Sequence, residues 1–260
     1  LGDVGKNLKP ADIILANPPF GTSKGGEASI TRDDLTFDTS NKQLAFLQHI
    51  YRNLKAGGRA AVVLPDNVLF ETGKGTDIRR DLMEKCNLHT ILRLPTGIFY
   101  AQGVKTNVLF FNKGSKTDPN QTENCTKKVW VYDLRTNMPS FGKRTPFTES
   151  YLKAFEQVFD PTNADKFNVD TLAPILHARQ EGEWSYTEDE EKTLENSRWR
   201  CFEREWIAAN KNDSLDISWL KDKSAVDSET LADPLELASE AKAELEQALA
   251  ELDELVKGLA

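Results

Sequence analysis

The sequence is poor in the residues that staple or metal-load a fold. Three cysteines (Cys86, Cys125, Cys201) are few, odd in number and far apart. That excludes a disulfide scaffold and fits a reducing, cytoplasmic setting. The three histidines (His49, His89, His177) and these cysteines show no zinc-ligand spacing, so no metal is expected. No apolar run approaches the roughly 18 residues that cross a bilayer, which excludes a helical membrane protein. The start of the chain has no signal-peptide pattern. Because it opens at Leu1 without an initiator Met and enters a strand almost at once, we read it as a piece of a longer protein. Charge is unevenly spread. Residues 1–150 carry 21 Lys+Arg against 15 Asp+Glu, whereas residues 151–260 carry 12 against 26. With a pI of 5.1, tight unaided DNA binding is not expected; if DNA is the target, a partner supplies most of the grip.

What is present is ordinary globular sequence, 260 residues long, with alternating strand and helix patterns. Ala11–Ala16 reads as a short buried strand ending in Asn17-Pro18-Pro19-Phe20-Gly21. Residues 21–39 read as a long polar loop of the kind that serves as a lid or stays disordered. Ser40 and Gln43 form a capping box for a helix whose apolar stripe is Leu44, Leu47, Ile50, Tyr51 and Leu54, with Gly57-Gly58 as its stop. Ala60–Leu64 is the next strand, which makes a parallel crossover unit. A helix over Thr76–Cys86 leads to strand His89–Leu94. No helix separates that strand from Asn107–Asn112, so the two are expected to pair antiparallel. Lys128–Leu134 reads as a further strand at a sheet edge.

After residue 137 the character changes. Thr148 opens an amphipathic helix with Tyr151, Leu152, Phe155 and Phe159 on one side. Trp184, Trp199, Trp206 and Trp219 are scattered anchors. Residues 231–260 repeat Leu245, Leu252 and Leu259 every seven positions, a helix with an adhesive seam. Three divisions follow: 1–136, an α/β half-domain; 137–230, a mixed, mainly helical extension; and 231–260, an amphipathic helix for subunit contact.

Asn17-Pro18-Pro19-Phe20, at the carboxyl end of a strand, is where open α/β sheets place ligands. Asn17 brings a side-chain carbonyl. The prolines fix the backbone and remove N–H donors, leaving outward carbonyls. Phe20 adds a flat apolar face. The set suits an exocyclic amino group on a planar ring. Two acceptors, Asn17 Oδ1 and the Pro18 carbonyl, would hold its N–H bonds and favour a nitrogen lone pair aimed at a methyl donor. The plain alternative is a strand that ends in an Asn-Pro-Pro turn. Weaker candidates are Lys105, Thr106 and Asn107, read either as DNA-facing or as ordinary hairpin chemistry. Arg79, Arg80 and Lys85 form a basic helix face, with a solvated face as the favoured reading.

Asn17–Phe20 resembles the motif of amino-group methyltransferases that use S-adenosylmethionine. The stretches Gln43–His49, Leu54–Pro65, Leu94–Phe99, Gly103–Phe111 and Asn212–Leu220 resemble the methylation (M) subunit of bacterial type I restriction–modification systems, over nearly the whole chain. The resemblance implies an α/β, Rossmann-like S-adenosylmethionine-dependent sheet, partial here, with an antiparallel final strand and an α-rich C-terminal extension. It implies N6 methylation of a flipped adenine in double-stranded DNA. By carry-over, Asn17 and Pro18 hold the amino group, Pro19 completes the motif and Phe20 stacks on the base. The implied partners are a specificity (S) subunit, a restriction (R) subunit and a second M subunit, with no membrane. One departure stands out. The family's Gly-rich cofactor loop is absent, since Gly2–Gly5 and Gly73/Gly75 do not follow buried strands as required. The cofactor-binding residues are therefore expected upstream of Leu1, and this chain alone is not expected to methylate DNA. Two other readings remain: a methyltransferase for protein glutamine or RNA guanine, and a non-catalytic scaffold.

Overall fold

The computed structural model describes residues 3–19, 32–99, 104–139, 141–159, 198–220 and 222. It divides into a compact unit Leu1–Leu220 and a second unit Lys221–Ala260. All of the second unit but residue 222 lies outside the described residues, as do Trp184 and the expected helix over 231–260. The expected break at residue 136 does not divide the first unit, because a strand from beyond it joins the same sheet.

Among the described residues that sheet has six strands in the order β1 (Ala11–Ala16), β2 (Leu54–Pro65), β4 (Thr106–Lys113), β3 (Cys86–Leu94), β5 (Lys128–Asp133) and β6 (Trp199–Glu203). β1 and β2 run parallel, as do β3 and β5. β4 is antiparallel to both β2 and β3, so the expected hairpin pairing is present. This places the carboxyl ends of β1, β2 and β3 on one edge, beside the start of β4. The helices are α1 (Lys42–Arg52), α2 (Asn67–Phe70), α3 (Lys74–Lys85), α4 (Lys153–Val158) and α5 (Arg204–Lys211). Among the described residues no helix is long and apolar enough to cross a membrane.

Several local readings are corrected. The α1 cap is Asn41, not Ser40: its Oδ1 accepts from the N–H groups of Gln43 (2.9 Å) and Leu44 (3.2 Å). Gly57-Gly58 do not stop α1. They sit inside β2, where the register with β1 jumps from Ala11↔Leu54 to Ile13↔Arg59. Gly57 has φ +72°, and a Cβ on Gly58 would lie 2.9 Å from the Ala11 carbonyl oxygen. β5 is not the edge, because β6 pairs beyond it. The three consecutive apolar residues predict a buried β1, yet Ile13 and Leu15 are 53% and 80% exposed. Among the described residues β1 pairs on one side only, and one of its faces is uncovered.

The core lies on both faces of the sheet. On one side Leu44, Leu47, Val62, Leu64, Ile78, Leu82, Leu109 and Phe111 are buried between the strands and α1–α3, each contributing about 1.5–3 kcal/mol. On the other, Trp130 stacks on Trp199 at 5.1 Å, and Phe155 meets Tyr132 edge-on at 5.4 Å. The stripe expected from Thr148 is therefore used, although Glu149–Tyr151 is a 3₁₀ turn and α4 follows it. Trp206 is 39% exposed and Trp219 is partly buried against the core, so those two anchors differ in role.

Buried charge ties distant segments to this core. Arg79 is 1% exposed and not part of a solvated basic face. It donates to the carbonyls of Asp213 (2.8 Å), Val68 (3.0 Å) and Glu71 (2.9 Å), and to Thr76 Oγ1. Burial pulls its guanidinium down to about 10, still charged at neutral pH. Arg80 pairs with Asp213 at 2.7 Å and Lys85 with Asp81 at 2.8 Å. Arg204 stands 2.6 Å from Asp213 Oδ1 without hydrogen-bond alignment. Asn212 and Asp213 adopt positive φ, and the irregular segment that follows returns Leu215 and Ile217 to the core. The second half of the expected polar loop is also pinned. Asp34 pairs with Arg32 at 2.6 Å and with Arg52 of α1 at 2.8 Å, and Gln48 bonds both backbone groups of Phe37.

Two outcomes are expected. Arg79→Met leaves several buried carbonyls unpaired and lowers the unfolding free energy by about 3 kcal/mol in urea titrations; a loss under about 1 kcal/mol would show that water reaches those carbonyls. For Asp34, hydrogen bonds from Arg32, then the charges of Arg32 and Arg52, hold the carboxyl down to about 2, against a reference value of 3.8 and against the burial that raises it. The folded value is the lower one, so this stabilisation is complete above about pH 5 and vanishes as pH falls towards about 2. Asp34→Asn should therefore be less stable than wild type at pH 7, with the gap closing on acidification. A gap that does not change with pH would disprove this assignment.

Candidate functional site

The site begins where β1 stops. Ala16 is the last residue in register with β2, opposite Val62. Asn17 then leaves the sheet at its carboxyl edge. Its side chain is exposed, and no described residue hydrogen-bonds it. The Pro18 ring is buried, and its carbonyl likewise accepts from no described residue. Pro19 is exposed, and its carbonyl accepts from Gln43 Nε2 of α1 at 3.3 Å. Phe20 lies outside the described residues.

An open cavity of about 490 Å³ adjoins these residues, with Ile14, Ala16 and Asn17–Pro19 on one side and Phe46, His49, Ile50 and Asn53 of the α1 region on the other. Its polar groups are few. His49 Nδ1 faces Asn53 Nδ2 at 2.9 Å and Arg32 Nη1 at 3.3 Å. Burial, then the Arg32 charge, pushes the imidazole below its ordinary value, so His49 is neutral at pH 7. With two donors on Nδ1, the ring proton is assigned to Nε2. Among the described residues no group of three or more His, Cys, Asp or Glu is arranged to hold a metal ion.

Further along the same edge lies a polar lock. Arg135 donates to both oxygens of Asp66 (2.8 and 2.9 Å), to the Leu94 carbonyl (2.9 Å) and to the Thr106 carbonyl (2.8 Å). Asn107 Nδ2 donates to Asp66 Oδ1 at 2.7 Å. One guanidinium thus fastens the ends of β2 and β3 to the start of β4. This decides the second group of candidates. Lys105 is exposed, but Thr106 and Asn107 are fully buried. The DNA-facing reading of Thr106 and Asn107 gives way to a structural one, because Asn107 is committed to Asp66 and Arg135. The structure does not bring Lys105, Thr106 or Asn107 into the cavity lining beside Asn17.

Sequence reasoning missed Arg135, Asp66 and the Gln43 tether. A single arginine after a strand carries no motif, and Gln43 carried only a capping signal. Their partners are 24 to 69 residues away, so no local pattern announces them.

Comparison with known proteins follows the geometry. The N-6 DNA Methylase family model matches residues 2–220. The methylase subunits of the type I restriction enzymes StySJI from Salmonella typhimurium and EcoKI from Escherichia coli are each 58% identical over 273 residues, covering all of this chain and 49% of theirs. The crystal structure of the EcoKI M protein has a TM-score of 0.72 and 57% identity, covering 100% of this chain and 52% of that one. The chain thus spans about half the length of the curated relatives it matches. A type I R-M system structure at 24% identity, TM-score 0.58, shares the fold. With the motif, the antiparallel strand and the matched length in agreement, the chain belongs to the N-6 DNA methylase family.

Proposed function

We propose that this chain supplies the target-base side of an adenine N6 DNA methyltransferase, within the methylation subunit of a type I restriction–modification system. The observation that carries the reading is the exposed Asn17 side chain at the edge of an open cavity, unclaimed by any described residue, next to a proline carbonyl equally unclaimed. The naming of the relatives as type I methylase subunits favours DNA over protein glutamine or RNA guanine.

The chemistry follows from the acceptors. The amino nitrogen of adenine is a poor nucleophile because its lone pair is delocalised into the ring. Asn17 Oδ1 and the Pro18 carbonyl accept its two N–H bonds, which favours a pyramidal nitrogen. The same oxygens stabilise the positive charge that grows on nitrogen as the new bond forms, and the nitrogen then loses a proton. This is preorganised electrostatic stabilisation of a developing cation. The base leaves the duplex to reach these groups, and Phe20 stacks on it.

S-adenosylmethionine, when bound, supplies the electrophilic methyl group. The described residues do not by themselves form its cradle. Gly73 and Gly75 lie at the start of α3, which follows α2 rather than a strand, and Gly5 lies in a 3₁₀ turn. No donor contact is therefore assigned to this chain. The exposed apolar side chains of Ile13 and Leu15 share one face of β1 and fit a layer that covers this face of the sheet in the whole protein. In this reading the specificity subunit chooses the sequence, a second M subunit and a restriction subunit complete the complex, and the assembly works in the cytoplasm. The acidic 231–260 segment docks its leucine seam on helices of the specificity subunit.

Asn17→Ala in the full-length protein is expected to lower methyl transfer to DNA by about 10²–10³-fold, in line with loss of one preorganised transition-state contact. Its melting temperature should stay unchanged, because no described residue relies on that side chain. Wild-type rates would overturn the reading in favour of a scaffold. Deleting 231–260 is expected to abolish copurification with the specificity subunit while the sheet domain stays folded; retained copurification would refute the docking assignment.

A further inference from the structure

We infer that Gln43 is a positioning residue for the Asn17–Phe20 motif: its buried amide fastens the Pro19 carbonyl and so keeps the Pro18 carbonyl and Asn17 Oδ1 turned to the base. The inference rests on the methyltransferase reading above and deepens it. Pro18 and Pro19 carry no N–H, so once the chain leaves β1 at Asn17 neither residue can be fixed through its own donor. Carbonyl oxygens are the only hydrogen-bonding handles on this dipeptide. Of the acceptors on Asn17 side chain, Pro18 and Pro19, one alone is engaged by a described residue, that of Pro19.

The donor comes from a rigid support. Gln43 is 3% exposed and sits at the second position of α1. Its backbone N–H is held by the Asn41 cap at 2.9 Å, and Asn41 Nδ2 is anchored in turn on Glu71 Oε2 at 2.5 Å. The amide is thus presented by a capped helix end tied to the segment after α2, not by a mobile loop. Turning the Pro18–Pro19 unit would swing one of the two acceptors away from the amino group. Displacements of this order, near 1 Å, cost up to about 10²-fold in rate.

The test uses the full-length methylase with its specificity subunit, labelled S-adenosylmethionine, and DNA from a host that lacks the modification. Gln43→Met keeps the volume and removes the donor; Gln43→Glu sets a carboxylate oxygen against the Pro19 carbonyl. Both are expected to lower kcat by about 10- to 100-fold, with KM for donor and DNA within about 2-fold of wild type; the melting temperature should hold for Gln43→Met, whereas Gln43→Glu also buries a carboxylate and is read on kcat and KM. A kcat within about 2-fold of wild type overturns the inference. So does a fall in kcat that comes with raised KM and a lowered melting temperature, which marks a merely structural role. A crystal structure of Gln43→Met is expected to show the Pro19 carbonyl reoriented; an unchanged motif refutes the inference whatever the activity. If wild type modifies RNA or protein but not DNA, and the variants slow that reaction equally, the positioning role stands and the adenine reading falls.

Discussion

Two prolines in succession at the end of β1 set the constraint around which the rest is arranged. They withhold two backbone N–H groups where acceptors collect, so a partner for those acceptors has to come from elsewhere, as Gln43 does for the Pro19 carbonyl. In most loops an unpaired carbonyl near a helix finds a local donor. Here two of the local donors are missing, and among the described residues only the Pro19 carbonyl has a partner. The sheet then decides where that character is displayed. Parallel pairing of β1 with β2 puts Asn17 at the carboxyl edge, and the reversed β4 brings its own start to the same edge.

That edge is held by charge rather than by apolar packing alone. Arg135 collects acceptors from three strand ends, and Arg79 does the same for the α2–α3 region and the segment at Asp213. Both use the planar, many-donor guanidinium, which gathers several carbonyls at fixed angles where a lysine would serve them only as a point charge. Desolvating such groups is costly, so their value lies less in net stability than in fixing one arrangement of loops. The site proposed here needs that fixity, since preorganised acceptors act only when they are in place before a reaction begins.

The legible part of the molecule was the part written in local pattern. Three consecutive apolar residues announced β1, the period-3.6 stripe announced α1, and the lack of an intervening helix announced the antiparallel β3–β4 pair. The motif stood out because the proposed chemistry rests on adjacent residues. What escaped was written in distance. β6 pairs with β5 across more than 60 residues, and Trp199, read as an isolated anchor, is its first residue. Gly57-Gly58 have the composition of a helix stop, but the close approach of Ala11 turned them into a bulge inside a strand. Asn41 outcompeted Ser40 as the cap because its side chain also reaches Glu71. Arg79 carried the signature of a wet helix face, and the carbonyls of Val68, Glu71 and the returning Asp213 segment made it part of the core.

The same distinction bears on how a motif becomes a site. Asn-Pro-Pro-Phe can end a strand in any turn, and four residues do not separate that case from chemistry. The separation comes from what the surroundings leave alone. A turn built only for folding consumes its polar groups, because each unpaired and buried one costs about 1–3 kcal/mol. Around Asn17 the described residues satisfy the Pro19 carbonyl and stop there. Asn17 is exposed at the rim of the cavity, where solvent can satisfy its side chain until a ligand replaces it. On the reading proposed above, what separates a site from a turn is thus whether those acceptors stay available, and a second copy of those letters with all three acceptors engaged would be a turn.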